Sequence, residues 1–179
     1  MNELSWVAEA RKHIGLREVK GARHNPSIVA WLEKMGSFSD EEKAWWREDE
    51  SAWCGLFTAY CLGVSDRFVV SNWYRALAWQ SPMLTKLSAP AYGCIVVFNR
   101  KGGGHVGFVV GVDKNGYLMV LGGNQSDQVS IVPFHPDRVS GLYWPSFYKD
   151  GKCVQSAPSA ARYKLPLLLS NGKPSTNEA

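Results

Sequence analysis

The strongest constraint on the fold is an apolar run at residues 52–62, AWCGLFTAYCL. Apolar side chains occupy nearly every position, so a helix formed by this run has no face that suits water. The run therefore predicts a central, buried helix. Ser51 or Asp49 is the predicted N-cap, and Gly63 is the predicted C′ residue. Gly55, inside the run, is predicted to leave space for the close approach of another chain segment.

Cys54 lies in the first turn of this predicted helix. Backbone N–H groups without intrahelical partners and the helix dipole favour an anion there, which predicts a lowered thiol pKa and a reactive thiolate. The alternative is an unreactive core cysteine, because free cysteines are among the most buried residue types. Two residues further along the chain favour the reactive cysteine.

The segments that follow predict a series of strands and turns. Residues 93–98 and 106–112 are rich in β-branched side chains and predict two strands, joined by a flexible connection at 101–104. The Asn-Gly pair at 115–116 predicts a tight hairpin turn into a partner strand at 117–121.

Further elements complete the predicted scaffold. An amphipathic helix is predicted at 5–14, and a second helix is predicted to follow Asn25 as its N-cap. A short helix is predicted at 71–79, with strands at 128–134 and 140–144. The pattern indicates an antiparallel sheet with helices packed on it.

His105 opens the strand at 106–112, and Asn124 follows the strand at 117–121. Hairpin pairing therefore predicts that both residues lie at the same open end of the hairpin. Taken singly, His105 is typical of an exposed loop and Asn124 of a turn. An imidazole can take the proton of a thiol, however, and an amide can hold the ring in orientation. Together with Cys54 they predict a cysteine hydrolase, whose reacting residues are distant in sequence and meet only on folding.

The order of these residues resembles that of a known family. A cysteine on a helix, then a histidine and a polar residue on successive strands, resembles the papain-like CHAP and NlpC/P60 cell-wall hydrolases. The chain is most similar to a CHAP-like group found among phage lysins and bacterial wall hydrolases, over roughly residues 5–145. The motifs are NPSIVAWL at 25–32, WC at 53–54, GHVGFVVG at 104–111 and LGGNQ at 121–125.

The resemblance implies an α+β, papain-like fold in which N-terminal helices pack on an antiparallel sheet. It implies Cys54 as nucleophile, His105 as base and Asn124 as the residue that orients the base. Many CHAP domains carry a glutamate two residues before the matching asparagine, where this chain has Gly122.

Three further residues are expected to bind substrate: Trp53, Asp49 and Gln125. No cofactor or catalytic metal is expected, because the histidines and cysteines lack metal-ligand spacing. Some CHAP domains bind calcium through acidic residues before the cysteine. Asp49 and Glu50 can supply such ligands here, although N-capping is the favoured role.

Composition bears on the partners of the chain. The net charge of +4 comes from scattered Lys and Arg, which argues against nucleic acid as a partner. The sequence has no stretch of about 20 apolar residues, so no transmembrane segment is expected. The first residues lack a signal-peptide pattern. A monomer made in the cytoplasm is expected, acting on peptidoglycan in the periplasm or cell wall after release.

Residues 1–148 are predicted to form one catalytic domain, and 149–179 a polar tail that is either disordered or laid along the surface. The expected reaction is hydrolysis of an amide bond, within the wall stem peptide or at its link to N-acetylmuramic acid. A phage-type endolysin is favoured. The alternatives are a secreted antibacterial effector with the same chemistry and a catalytically silent wall- or virion-binding module.

Overall fold

The structure, a computed structural model, describes residues 2–19, 25–36, 53–100 and 102–176. Within these ranges the chain forms three α-helices: α1 (Ser5–Lys12), α2 (Pro26–Met35) and α3 (Cys54–Gly63). Short 3-10 helices follow at Ala76–Trp79, Pro136–Arg138 and Ala160–Tyr163.

The described strands form one six-stranded antiparallel sheet and one separate hairpin. The sheet contains β1 (Thr85–Lys86), β2 (Ile95–Arg100), β3 (Gly103–Val112), β4 (Leu118–Gly122), β5 (Ser130–Phe134) and β6 (Val139–Trp144). Its spatial order is β1-β6-β2-β3-β4-β5. The hairpin pairs β7 (Phe147–Lys149) with β8 (Lys152–Val154). The predicted α+β fold is confirmed.

Helix α3 is the central element that its composition predicts, and nearly all of its residues are buried. The predicted close approach at Gly55 is also present. A Cβ on this residue would collide with the carbonyl oxygens of Trp73 and Tyr74. Glycine is therefore required here by packing, and it allows the following loop to cross the start of the helix.

The predicted start and end of α3 need correction. Trp53 holds the N-cap position without a side-chain capping hydrogen bond, and its indole N–H donates instead to a carboxylate oxygen of Glu18 at 3.0 Å. The proposed caps Ser51 and Asp49 lie outside the described residues. At the other end, Gly63 is the last helical residue rather than the residue beyond the end.

The connection between β2 and β3 also differs from the prediction. Gly103 and Gly104 are strand residues, paired with Arg100 and Asn99, so β2 and β3 extend further toward each other than predicted. A Cβ on Gly104 would crowd the Phe98 carbonyl and the Leu77 side chain, so this glycine serves close packing rather than flexibility. As a result, His105 lies inside β3 instead of opening it.

Other predicted elements are correct in kind but differ in extent. Asn25 caps α2, accepting a hydrogen bond from the Ser27 N–H at 2.9 Å. The helix predicted at 5–14 ends at Lys12, and only Ala76–Trp79 of the segment 71–79 is helical, as a 3-10 turn.

The described part of the tail lies along the end of β3. The Val112 N–H donates to the Pro166 carbonyl at 2.9 Å, and the Leu168 N–H donates to the Val112 carbonyl at 2.8 Å. Leu165 and Leu168 pack against the core, whereas Leu169 is fully exposed. Two leucines thus attach this segment to the sheet by burial of apolar surface.

We expect Leu168→Ala to lower the free energy of unfolding by roughly 1–3 kcal/mol, because it removes a packed side chain that touches Gly111 and the core. Leu169→Ala is the matched control and is expected to change stability by less than about 0.5 kcal/mol. Urea denaturation followed by fluorescence measures both. Equal effects of the two substitutions would contradict the packing of the tail.

Candidate active site

Cys54 is the first residue of α3, and only 1% of its surface is exposed. Its sulfur accepts a hydrogen bond from the backbone N–H of Val106, the residue that directly follows His105 in β3. The fold therefore places the thiol against the strand segment that carries the histidine. This is the juxtaposition that the sequence predicted for these two residues.

Burial raises the pKa of the Cys54 thiol above its ordinary value. The Val106 N–H and the positive charge of Arg100 act in the opposite direction, but desolvation of the thiolate is the larger effect. The lowered pKa predicted from the helix start is therefore wrong. That prediction included the favourable N–H groups of the helix but not the loss of water around the sulfur. In the resting protein the thiol is held neutral.

His105 is fully buried in β3, directly opposite Phe98 of β2. Its ring lies nearly parallel to the Phe134 ring, and the two ring centroids are 5.5 Å apart. The centroid of the Phe98 ring is 6.1 Å from that of the imidazole. The two phenylalanines also stack on each other at 4.4 Å. This aromatic cluster restricts the plane of the imidazole, so its nitrogens have little angular freedom.

Gln125 holds the imidazole from one side. Its Oε1 lies 3.2 Å from His105 Nε2, and its Nε2 donates to the carbonyl oxygen of Ser130 at 2.6 Å and to the Ser130 hydroxyl at 3.2 Å. Because a carbonyl oxygen can only accept, the NH₂ of the amide faces Ser130 and the oxygen faces the ring. The ring nitrogen Nε2 therefore donates, which makes Nδ1 the basic nitrogen of a neutral His105.

This arrangement differs from the sequence expectation, which gave the orienting role to Asn124 and substrate contact to Gln125. Asn124 is buried at the turn after β4, with a left-handed backbone at φ +57°. Gln125 is also buried, and it is the residue whose amide is aligned with His105 Nε2. Adjacent residues in a turn point in different directions, and sequence spacing alone does not tell which side chain folds back toward the ring.

Gly122 explains why a glutamine can take this place. A Cβ on Gly122 would lie 3.0 Å from Gln125 Oε1 and 3.2 Å from His105 Nε2. The position at which many CHAP domains carry a glutamate is thus filled, in this chain, by the side chain of Gln125. The absence of a side chain at Gly122 and the presence of an amide at Gln125 are two parts of one arrangement.

The remaining predicted site residues are placed differently. Trp53 is an interior residue, 2% exposed, whose ring packs against Phe57 and Gly123, so it offers substrate no open face. Asp49 lies outside the described residues, as does its possible calcium ligand partner Glu50. In the described part of the chain, no group of three or more His, Cys, Asp or Glu side chains is arranged to hold a metal ion.

Arg100 is a site residue that the sequence analysis missed. It is half-buried at the end of β2, and its charge acts on the Cys54 sulfur. Alternation along the strand could have pointed to Arg100. It follows Phe98 by two positions, and residues two apart on a strand lie on the same face. The misjudged length of the connection before His105 concealed that relation.

A thiol at the start of a buried helix, beside a histidine on the adjacent sheet, is the arrangement expected of a papain-like protein. Residues 44–124 match the family model of the CHAP domain, which confirms the resemblance to CHAP domains for that segment. CHAP domains are typically hydrolases that act on peptidoglycan. The match includes Cys54 and His105 and ends one residue before Gln125. No curated protein and no solved structure matches the chain.

We expect iodoacetamide at neutral pH to modify Cys153 faster than Cys54. Cys153 is half-exposed, whereas Cys54 is buried and its pKa is raised. Modification of Cys54 should accelerate as the pH rises toward its raised pKa, because alkylation needs the thiolate. Peptide mapping by mass spectrometry over a time course measures each site.

The internal controls for this experiment are Cys61 and Cys94. Burial raises the pKa of both thiols, that of Cys94 to about 12, so both should stay unmodified until the protein unfolds. A faster reaction of Cys54 than of Cys153 at neutral pH would contradict the conclusion that the Cys54 thiol is buried and neutral.

Proposed function

We propose that this protein hydrolyses an amide bond of the peptidoglycan stem peptide, with Cys54 as nucleophile, His105 as general base and Gln125 as the residue that orients the base. The observation that best supports this function is the hydrogen bond between the His105 ring and the fixed amide of Gln125. It lies next to the Cys54 thiol, whose sulfur accepts a hydrogen bond from the Val106 N–H. The match of residues 44–124 to the CHAP domain supplies the substrate class.

The first step of the proposed mechanism uses the tautomer that Gln125 selects. His105 Nδ1 accepts the thiol proton as Cys54 Sγ attacks the amide carbonyl, forming a tetrahedral intermediate. The Val106 N–H bonds to the sulfur and favours its anionic form. Proton transfer coupled to attack suits a thiol whose burial holds it neutral at rest, because the thiolate need not accumulate beforehand.

In the second step, the protonated His105 gives its proton to the leaving amine, which leaves an acyl group on Cys54 Sγ. Water then attacks the thioester with His105 as base, which releases the carboxylic acid and restores the thiol. Gln125 Oε1 accepts a hydrogen bond from His105 Nε2–H throughout, so it also favours the imidazolium that forms in each step.

The proposal extends to a phage-type endolysin that acts as a monomer on the cell wall after release from the cytoplasm. A secreted antibacterial effector would use the same chemistry, and the two differ in whether a holin or an immunity protein is encoded nearby. None of the helices in the described ranges has the length and hydropathy that a membrane-spanning segment requires.

Mass spectrometry of muropeptides after digestion of purified peptidoglycan tests the reaction. An amidase releases complete stem peptides from the glycan, whereas an endopeptidase leaves truncated peptides attached to it. Intact muropeptides after prolonged digestion would contradict the proposed hydrolase and favour a silent wall-binding module.

We expect Cys54→Ala to reduce lysis of permeabilised cells by at least about 10³-fold, because no other group supplies the covalent step. Cys61→Ala is the matched control. Cys61 lies on the same helix and is equally buried, yet it is expected to retain most of the activity. Turbidity clearing measures both variants, and circular dichroism checks that they are folded. Clearing by Cys54→Ala near the wild-type rate would rule out the proposed nucleophile.

We expect Gln125→Ala to lower kcat by roughly 10²-fold, since it frees the ring to rotate and removes the partner of the Nε2 proton. Asn124→Gly is the control. Glycine tolerates the left-handed backbone of this turn, and the loss is expected to stay under about 5-fold. Release of soluble muropeptides measures both. A larger loss for Asn124→Gly than for Gln125→Ala would return the orienting role to Asn124.

A second variant separates orientation from simple packing. Gln125→Glu places a carboxylate beside the imidazole, which favours the imidazolium and should move the acidic limb of the pH–rate profile to higher pH. A structural role alone would lower the rate without moving this limb.

A further inference from the structure

Arg100 lies on the same face of the β2–β3 hairpin as the proposed base. It pairs with Gly103 in β3, while Phe98 pairs with His105, and residues two positions apart on a strand share a face. The rings of Phe98 and His105 confirm that face by direct contact. Only the Asn99–Gly104 pair, which faces the other side of the sheet, lies between Arg100 and the imidazole along the hairpin.

Within the described ranges, no acidic side chain pairs with the charge of Arg100. The side chain is half-buried, its Nε is fully enclosed without a hydrogen-bond partner, and no ion pair to it occurs among the described residues. An enclosed N–H donor without a partner costs free energy, and a bound anion that accepts from the Arg100 guanidinium would recover it.

Space for such a ligand lies directly across the hairpin. Among the described residues, nothing lies within 4 Å of the position that a Cβ on Gly103 would occupy. Cβ positions in a directly opposed pair are about 5 Å apart. The open position at Gly103 is therefore next to Arg100 on one side and His105 on the other.

We propose that Arg100 binds a free carboxylate of the substrate beside the scissile amide, and so selects stem peptides that carry this group. The inference rests on the proposed function. An arginine binds a carboxylate through two parallel N–H donors, which fix both the position and the angle of the bound group. The chain would thereby use one cation to orient the peptide for attack by Cys54.

The wall stem peptide offers such a carboxylate close to several of its amide bonds. A D-glutamate linked through its side chain keeps its α-carboxylate free, and amidation to isoglutamine removes the charge without changing the length of the peptide. The two forms of L-Ala-γ-D-Glu-L-Lys-D-Ala therefore differ only in the group that Arg100 is proposed to recognise.

Calorimetry on Cys54→Ala with these two synthetic peptides tests binding without turnover. The free-carboxylate form is expected to bind about 10- to 100-fold more tightly than the amidated form, in line with a hydrogen bond to a charged group. The double variant Cys54→Ala/Arg100→Gln should bind both forms as weakly as Cys54→Ala binds the amidated one. Equal binding of the two peptides to Cys54→Ala, or a preference that survives Arg100→Gln, overturns the inference.

Turnover of the same peptides separates substrate binding from an effect on the thiol alone. Arg100→Gln should slow cleavage of the free-carboxylate peptide about 10- to 100-fold more than it slows cleavage of the amidated peptide. An equal loss on both would mean that Arg100 acts only through the Cys54 sulfur. Arg162→Gln, at an arginine that stacks on Tyr92 away from the site, is the matched control and should leave both rates unchanged.

Two further results keep the outcomes distinct. If Arg100→Gln fails to fold, Arg100→Lys takes its place in both experiments. Lysine retains the charge but not the paired donors, so this variant is expected to show a reduced preference for the carboxylate. If the wild-type protein cleaves both peptides equally well, the inference fails and the proposed hydrolase stands. If it cleaves neither peptide nor intact peptidoglycan, and Cys54→Ala binds neither peptide, the proposed function fails and the inference falls with it.

Discussion

The seating of helix α3 against strand β3 is the constraint on which the rest of the site depends. The helix is apolar on almost every side, so it must be enclosed by the sheet, the N-terminal helices and the loop that crosses Gly55. Enclosure fixes where the first turn of the helix lies. The Cys54 sulfur is thereby held at the Val106 N–H, one residue from His105 along the strand.

The same enclosure has a chemical consequence. Removal of water raises the pKa of the Cys54 thiol, against the smaller effects of the Val106 N–H and the Arg100 charge. A thiol held neutral at rest can act as the proposed nucleophile only if a base is well aligned with it. The fixed ring of His105, stacked on Phe134 and bonded to Gln125, provides that alignment.

The pairing of Gly122 with Gln125 shows how one role can be filled from a different position in a turn. A side chain at Gly122 would occupy the space of the Gln125 amide, so these two residues are expected to change together. Ser130 completes the arrangement by accepting the amide N–H and fixing which end faces the imidazole. The orienting group is a neutral amide here, so it aligns the ring without adding a negative charge to a buried site.

Local sequence patterns determined most of the elements and pointed to the two residues that are proposed to react. The apolar run gave α3 its buried position, the Asn-Gly pair gave the β3–β4 turn, and Cys54 and His105 were identifiable because their chemistry is specific. Tertiary structure decided what depends on direction and solvent. It alone placed Gln125 rather than Asn124 against the ring, enclosed Trp53, and brought the charge of Arg100 near enough to act on the Cys54 thiol. The physical reason is that periodicity reports which face of an element is apolar, whereas side-chain orientation in a turn and desolvation of a thiol arise only when separate elements pack together.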